Sequence, residues 1–317
     1  MGSSVSSLHR PSPPRGIPHS FYPFLLLFHA FPLHAVLTLF VLDAPFGRFA
    51  RVGSRLNLNG NLAWFAMESV APVTLITTLY RTDHPPLTPE AMVLIGLYLT
   101  HYFHRAVLSP LVYSPKRSPL HIVIPFLAAA WNLLNASLLA TSLAFYPPQT
   151  TLSSPRFWLS VAGWALGFAG NVYHDEILND LRRPPRQRLF KAADQAEEED
   201  KKASKGHYAI PHGGLFRYVS FPNYFCEWLE WSAFALAAGP LFIPIPPLFS
   251  LHLSGWLGRA AAGLGWWPAK LLSPGWMFVL AEISAMTPRA IRGHRWYRDT
   301  FGERFPRERK VVIPGIF

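Results

Sequence analysis

The sequence is poor in the residues from which soluble enzymes usually build their sites. One cysteine, Cys226, stands among 317 residues, so neither an internal disulfide nor a cysteine-rich metal site is possible, and no metal is expected. Charged residues make up only 15%, while half the chain is hydrophobic and aromatics reach 15%, a balance that suits a membrane protein. No Gly-x-Gly-x-x-Gly follows a strand, and no strand is evident at all, so a dinucleotide would have to be held without a Rossmann domain. Acidic residues are also scarce, 18 against 29 Lys and Arg, for a net charge of +11. A nucleic-acid binder would array such bases on a face interleaved with exposed aromatics. Here they lie between long apolar runs, and no nucleic-acid partner is expected.

Those runs cover 21–45, 62–80, 91–112, 120–146, 156–178, 221–243 and 271–288. Most approach the ~20 residues that a helix needs to cross a bilayer. In lipid each backbone amide must be bonded within its own segment, so the runs predict helices and an all-α, seven-helix membrane bundle. Pro32 interrupts the first run, and Glu68 lies within the second. The connections 46–61, 105–119, 179–220 and 289–317 hold 3, 3, 9 and 8 basic residues, leaving 6 of the 29 for the opposite side. That asymmetry predicts a lumenal N-terminus and a cytosolic C-terminus.

Three parts follow: a lumenal tail over 1–20, four membrane helices over 21–146, and a C-terminal region over 147–317 with inserts at 183–206 and 240–270. Charge runs without apolar periodicity make the first insert a flexible cytosolic linker. Pro, Gly and the tryptophans Trp256, Trp266 and Trp267 make the second a lumenal interface loop. The opening Gly2 and Ser6 fit a myristoylation pattern that a lumenal N-terminus would contradict.

Ionisable groups within apolar spans are costly unless paired or hydrated, and each is by default a candidate site. They cluster: Glu68; His101, Tyr102, His104 and Arg105; Asn171, His174 and Asp175; Glu227 and Glu230. Glu230, His104 and Glu176, taken singly, read as interface or capping residues. Asn171 and Asp175 are four apart and share a helical face, and Asn223 and Glu227 repeat that spacing on another helix. Two helices thus present an amide and a carboxylate at matched depth, with Arg182, Arg289, Arg292 and Arg309 in the adjoining basic segments. The pattern predicts a polar, cytosol-facing cavity for an anionic ligand.

Three stretches, "GNVYHDEILNDLRRP", "YAIPHGGLFRYVSFPNYFCEWLEW" and "HRWYRDTFGERFPRERKVVIPGIF", resemble the C-terminal region of the steroid 5α-reductases, and "HYFHR" and "LAWFAMES" extend the resemblance over roughly 55–317. The resemblance implies a multi-pass enzyme of the endoplasmic reticulum membrane that uses NADPH to reduce the carbon-carbon double bond of a 3-oxo-Δ4 steroid. The implied partners are a lipid-like small molecule and membrane lipid, with no obligate protein partner. The implied cofactor contacts are Lys116, Asn171, Asp175, Arg182, Tyr208, Asn223, Glu227, Arg289, His294, Tyr297 and Arg309. The implied catalytic pair is Glu68 and Tyr102, set against the 3-oxo group.

The chemistry suits such a pair. Hydride addition to an enone pushes negative charge onto the carbonyl oxygen, and donors aimed there lower the barrier. Two positions depart from the family pattern: Met67 stands where animal members usually carry Gln, and Lys116 where an Arg is usual. Within the superfamily the alternatives are a trans-2-enoyl-CoA reductase and a polyprenal reductase, and outside it a non-catalytic sterol-binding protein. The chain lacks the first group's soluble N-terminal domain, and Leu215 stands where polyprenal reductases usually have an aromatic.

Overall fold

The computed structural model describes residues 16–40, 53–190, 208–244 and 270–317. Most of the N-terminal tail expected over 1–20, residues 191–206 of the first insert and the tryptophan-rich middle of the second lie outside the described residues.

Among the described residues, eight α-helices carry the fold. α1 (Phe21–His29) and α2 (His34–Phe40) are the halves of the first span, separated by a 3-10 turn at Phe31–Leu33. Pro32 sits in that turn, where its missing N–H interrupts the hydrogen-bond ladder. α3 (Gly60–Arg81) begins at Asn59, whose side chain accepts from the N–H groups of Asn61 and Leu62. α4 (Pro89–Tyr102) is capped by Thr88 and runs on as a π-helix, Phe103–Tyr113. α5 spans Val123–Phe145, α6 Pro155–Asp180, α7 Pro222–Ala238 and α8 Pro274–Phe301. Proline opens α4, α6, α7 and α8, where its fixed φ fits the first turn and no bond is lost.

Among the described residues, four helical stretches are long and apolar enough to cross a membrane: Phe21–Thr38, Gly60–Arg81, Pro89–Tyr113 and Val123–Phe145. The remaining predicted spans are also helical, as α6, α7 and α8. Phe126, Leu159, Leu166 and Leu236 are more than half exposed, so apolar side chains face outward as well as inward. The all-α expectation needs one correction. Asn57–Leu58 (β1) pairs antiparallel with Leu120–His121 (β2), and Phe242–Pro244 (β3) with Lys270–Leu272 (β4). The second ribbon closes the neck of the 240–270 insert.

α6 packs most extensively on α7. The two backbones meet at Gly167, where a Cβ would lie 2.5 Å from the amide nitrogen of Glu230 and 2.7 Å from the carbonyl of Cys226. Only glycine permits that approach. α3 packs chiefly on α5 and on the π-helix. Tyr98, Tyr102, Trp164, Trp231, Phe234 and Phe278 fill the central core. A second core, of Phe221, Trp228, Tyr297, Phe301, Phe305 and Val312, joins the end of α8 to the C-terminal segment. There Ser220 and Phe221 donate to the carbonyls of Lys310 and Val311, and Lys310 donates to Tyr218. Residue 309 is thereby brought beside the start of α7.

The first insert is not wholly a linker. Both oxygens of the fully buried Asp180 are used: one accepts from Arg183 at 2.6 Å, the other from the N–H groups of Leu189 and Phe190 at 2.9 and 2.7 Å. Arg183 also donates to Glu176 and to the carbonyl of Tyr113. The chain after α6 therefore folds back against the helix end, because a buried carboxylate must find donors there.

Candidate active site

The polar groups of four elements converge on Arg105, in the π-helix. Its guanidinium lies 3.6 Å from Glu68 of α3, 3.8 Å from Asp175 of α6 and 3.8 Å from Glu227 of α7. Here the extra residue per turn of a π-helix re-aims a side chain, as such segments often do at functional sites. The spacing predicts a shared face for each Asn/acid pair, and the structure interlocks the two pairs. Asn171 Nδ2 donates to Glu227 at 3.0 Å and to the Asn223 carbonyl at 3.1 Å, while Asn223 Nδ2 donates to Asp175 at 2.9 Å. The Oδ1 of Asn223 is buried without a hydrogen-bond partner.

A second cluster lies where α3, α4 and α5 meet. Tyr102 is buried against Tyr98 and Trp231, and its hydroxyl donates to Asn132 Oδ1 at 3.5 Å. Asn132 donates to the Met67 carbonyl at 2.8 Å and to Glu68 Oε2 at 3.5 Å. Glu68 belongs to both clusters, through Arg105 on one oxygen and Asn132 on the other. His101 Nδ1 lies 2.7 Å from Glu230 Oε1, with both residues buried. Glu230 is thus no interface residue: it is fully buried and paired. Glu176 is likewise buried, between Asn179 and Arg183.

The third group stands at the C-terminal end of α8. His294 Nδ1 meets the Ser220 hydroxyl at 2.8 Å, and Tyr297 is buried with its ring stacked on Phe305. Arg309 is buried with its guanidinium over Phe305, and its Nε and Nη1 lack hydrogen-bond partners. Burial lowers its pKa, because an apolar surrounding penalises the charged form. Burial likewise lowers that of His294, with the Arg298 and Arg309 cations adding to the effect.

Other expected residues stand apart. Lys116 is exposed, whereas its neighbour Arg117 turns inward to Ser109 and Ser114 and lies over the Trp64 ring. Arg182 is exposed and donates to Asn179. Tyr208 meets the Trp296 ring edge-on, and Arg289 is half-buried on α8. Sequence reasoning missed four residues: Arg105 as the shared cation, Asn132, Arg117 and Glu282. Glu282, on α8, lies within electrostatic range of Glu227, Arg105 and Glu68. A charge inside an apolar run was the available signal for Arg105 and Glu282; a lone Asn in a span gave none for its partners.

Comparison with known proteins identifies relatives of the chain. A family model described as 3-oxo-5-alpha-steroid 4-dehydrogenase matches residues 116–250 and 256–317. The chain is 34% identical over 301 residues to the uncharacterized protein C9.08c of Schizosaccharomyces pombe, covering 88% of this chain and 93% of that one. It is 31% identical to the steroid 5-alpha-reductase DET2 of Arabidopsis thaliana, over 93% of this chain and 96% of the relative. It is 27% identical to the 3-oxo-5-alpha-steroid 4-dehydrogenase 1 of Bos taurus, over 87% and 89% respectively.

Proposed function

The chain belongs to the 3-oxo-5-alpha-steroid 4-dehydrogenase family and is an oxidoreductase acting on carbon-carbon bonds, and on that premise we propose that it reduces the Δ4 double bond of a 3-oxo steroid with NADPH. It does so as a seven-helix protein of the endoplasmic reticulum membrane, N-terminus lumenal and C-terminus cytosolic. The observation that carries the reading is the sharing of Glu68 between the Arg105 cluster and the Tyr102–Asn132 cluster. One carboxyl joins a polar site suited to a cofactor with a buried site suited to a carbonyl.

The residues present fit a nicotinamide dinucleotide. Asn223 Oδ1 is a buried acceptor without a partner, available to an amide or hydroxyl, and Arg309 has two buried donor atoms without partners, available to a phosphate. Asp175 and Glu227 offer further acceptors, and Asn171 holds Glu227 in place. Tyr208, His294 and Tyr297 would line the same end of the site, with Arg182 and Arg289 at its basic rim, and Lys116 would reach it from the surface. When bound, NADPH supplies a hydride.

The chain's own part is to bind the 3-oxo group and meet the charge that grows on its oxygen during reduction. Tyr102 is held by its ring packing and can turn its hydroxyl from Asn132 to that oxygen. Glu68 donates as a neutral acid. Arg105, which faces three carboxyls, anchors that of Glu68 at 3.6 Å beside the Tyr102–Asn132 cluster. Trp231, Tyr98 and Phe278 close the surroundings with apolar rings, which strengthens each donor by excluding water.

The test is to incubate purified protein with NADPH and, in parallel, 3-oxo-Δ4 steroids, enoyl-CoAs and polyprenals. Consumption of NADPH with the steroids alone is expected, and turnover confined to another panel would replace the substrate assignment. Arg309→Ala should weaken NADPH binding and reduce its salt dependence, since one screened ionic contact is lost.

A further inference from the structure

We propose that Asn132 is a positioning residue that holds Glu68 and Tyr102 in one constellation. The inference rests on the catalytic reading of those two residues given above. Asn132 is 1% exposed, in the middle of α5, where an unpaired amide would be costly. Its hydrogen bonds all lead to the candidate catalytic groups or their backbone. Nδ2 donates to the Met67 carbonyl at 2.8 Å and to Glu68 Oε2 at 3.5 Å, and Oδ1 accepts from Tyr102 at 3.5 Å.

Each bond has a separate consequence. The bond to Met67 anchors the α3 backbone beside residue 68. A side-chain amide at this place bonds the main chain, so the anchor does not depend on the Met67 side chain. The bond to Glu68 presents an N–H to Oε2 while Arg105 stands 3.6 Å from Oε1, so the carboxyl is fixed from both sides. The bond from Tyr102 parks its hydroxyl within one amide of the carboxyl, so that both donors can meet a single carbonyl oxygen. The two longer contacts suit this use, because such bonds are often loose in a free enzyme and tighten in its complexes.

The test uses full-length protein with Asn132→Ala and Asn132→Asp; the second preserves size and an acceptor for Tyr102 but removes the amide donors. Single-turnover reduction with saturating NADPH and steroid should fall by about 10²-fold in Asn132→Ala, as expected for a misplacement of about 1 Å. The fall should appear in the maximal rate far more than in KM. Combined with Glu68→Gln, Asn132→Ala should add little further loss, because it acts through Glu68. Losses that multiply in full, or folded variants within twofold of wild type, would overturn the proposal.

A second readout does not depend on turnover. The infrared carboxyl stretch of Glu68, assigned by its loss in Glu68→Gln, should shift in both Asn132 variants. An unshifted band would overturn the proposal even if no steroid proved to be a substrate, and a shifted band in a protein inactive on steroids would reject the substrate reading alone.

Discussion

Asn223 donates one amide hydrogen to Asp175 across 2.9 Å while its own Oδ1 stays buried without a partner, so the contact between α6 and α7 leaves one unsatisfied acceptor. A buried polar atom of this kind costs stability unless a ligand or water meets it. It lies next to the carboxylates that Arg105 draws together, and we place the cofactor there.

The first prediction follows from that atom. Asn223→Ala and Asp175→Ala should each weaken NADPH binding by roughly 1–3 kcal/mol, the cost of leaving a partner unmet in a buried site. Equilibrium binding to folded, detergent-solubilised protein is the measurement, and unchanged affinity in both variants would remove the cofactor from the α6–α7 contact.

A pH prediction comes from His294, near the C-terminal end of α8. Its pKa is lowered from the ordinary imidazole value of 6.5 by burial, assisted by the Arg298 and Arg309 cations. Below 6.5 the unfolded chain therefore binds more protons here than the folded protein does. The contribution is full above that pH and is lost as pH falls. Between about pH 7.5 and about pH 5.5, wild type should lose more thermal stability than His294→Gln. Parallel unfolding curves across this window would show that His294 does not carry the dependence.

The helical bundle was legible in the sequence because apolar length and backbone satisfaction in lipid leave few alternatives, and Pro32 announced the break in the first span. The shared faces of Asn171 with Asp175 and of Asn223 with Glu227 were legible for a similar reason: i,i+4 spacing sets a shared face whatever the tertiary contacts are. What spacing cannot show is which faces meet. The pairing of His101 with Glu230 joins residues 129 positions apart, and Glu230 taken alone resembles an interface carboxylate. The π-helix that re-aims Arg105 leaves no periodic mark. The folding of Leu189 and Phe190 onto Asp180 is hidden because backbone N–H groups, which every sequence has, supply the donors.

Asp180 leads to a stability prediction. Asp180→Ala should destabilise the protein by about 3–5 kcal/mol, since it removes one partner of a buried charge pair and leaves two backbone donors unmet. Glu176 remains to hold Arg183, so the loss should fall at the lower end. Limited proteolysis should then cut sooner within 183–206. An unchanged melting temperature together with an unchanged cleavage rate would mean that the segment after α6 is held by other contacts.

The last prediction separates chemistry from binding at Glu68. Arg105 lies 3.6 Å from one of its oxygens and Asn132 lies 3.5 Å from the other. A structural role would use the carboxylate as a counter-ion for Arg105, and Glu68→Gln would then disturb stability or cofactor affinity while the folded, loaded fraction turned over normally. A role as neutral donor leads elsewhere. The amide keeps the shape and an N–H but offers a weaker proton to the growing oxyanion, so turnover should fall by roughly 10² or more, with NADPH retained and steroid bound passably. His101 does not compensate through Nδ1, which is committed to Glu230. Single-turnover reduction by cofactor-loaded Glu68→Gln distinguishes the two, since it counts only folded enzyme and omits product release. A rate within a few-fold of wild type would leave Glu68 as a counter-ion for Arg105, with the polarisation of the carbonyl falling to Tyr102.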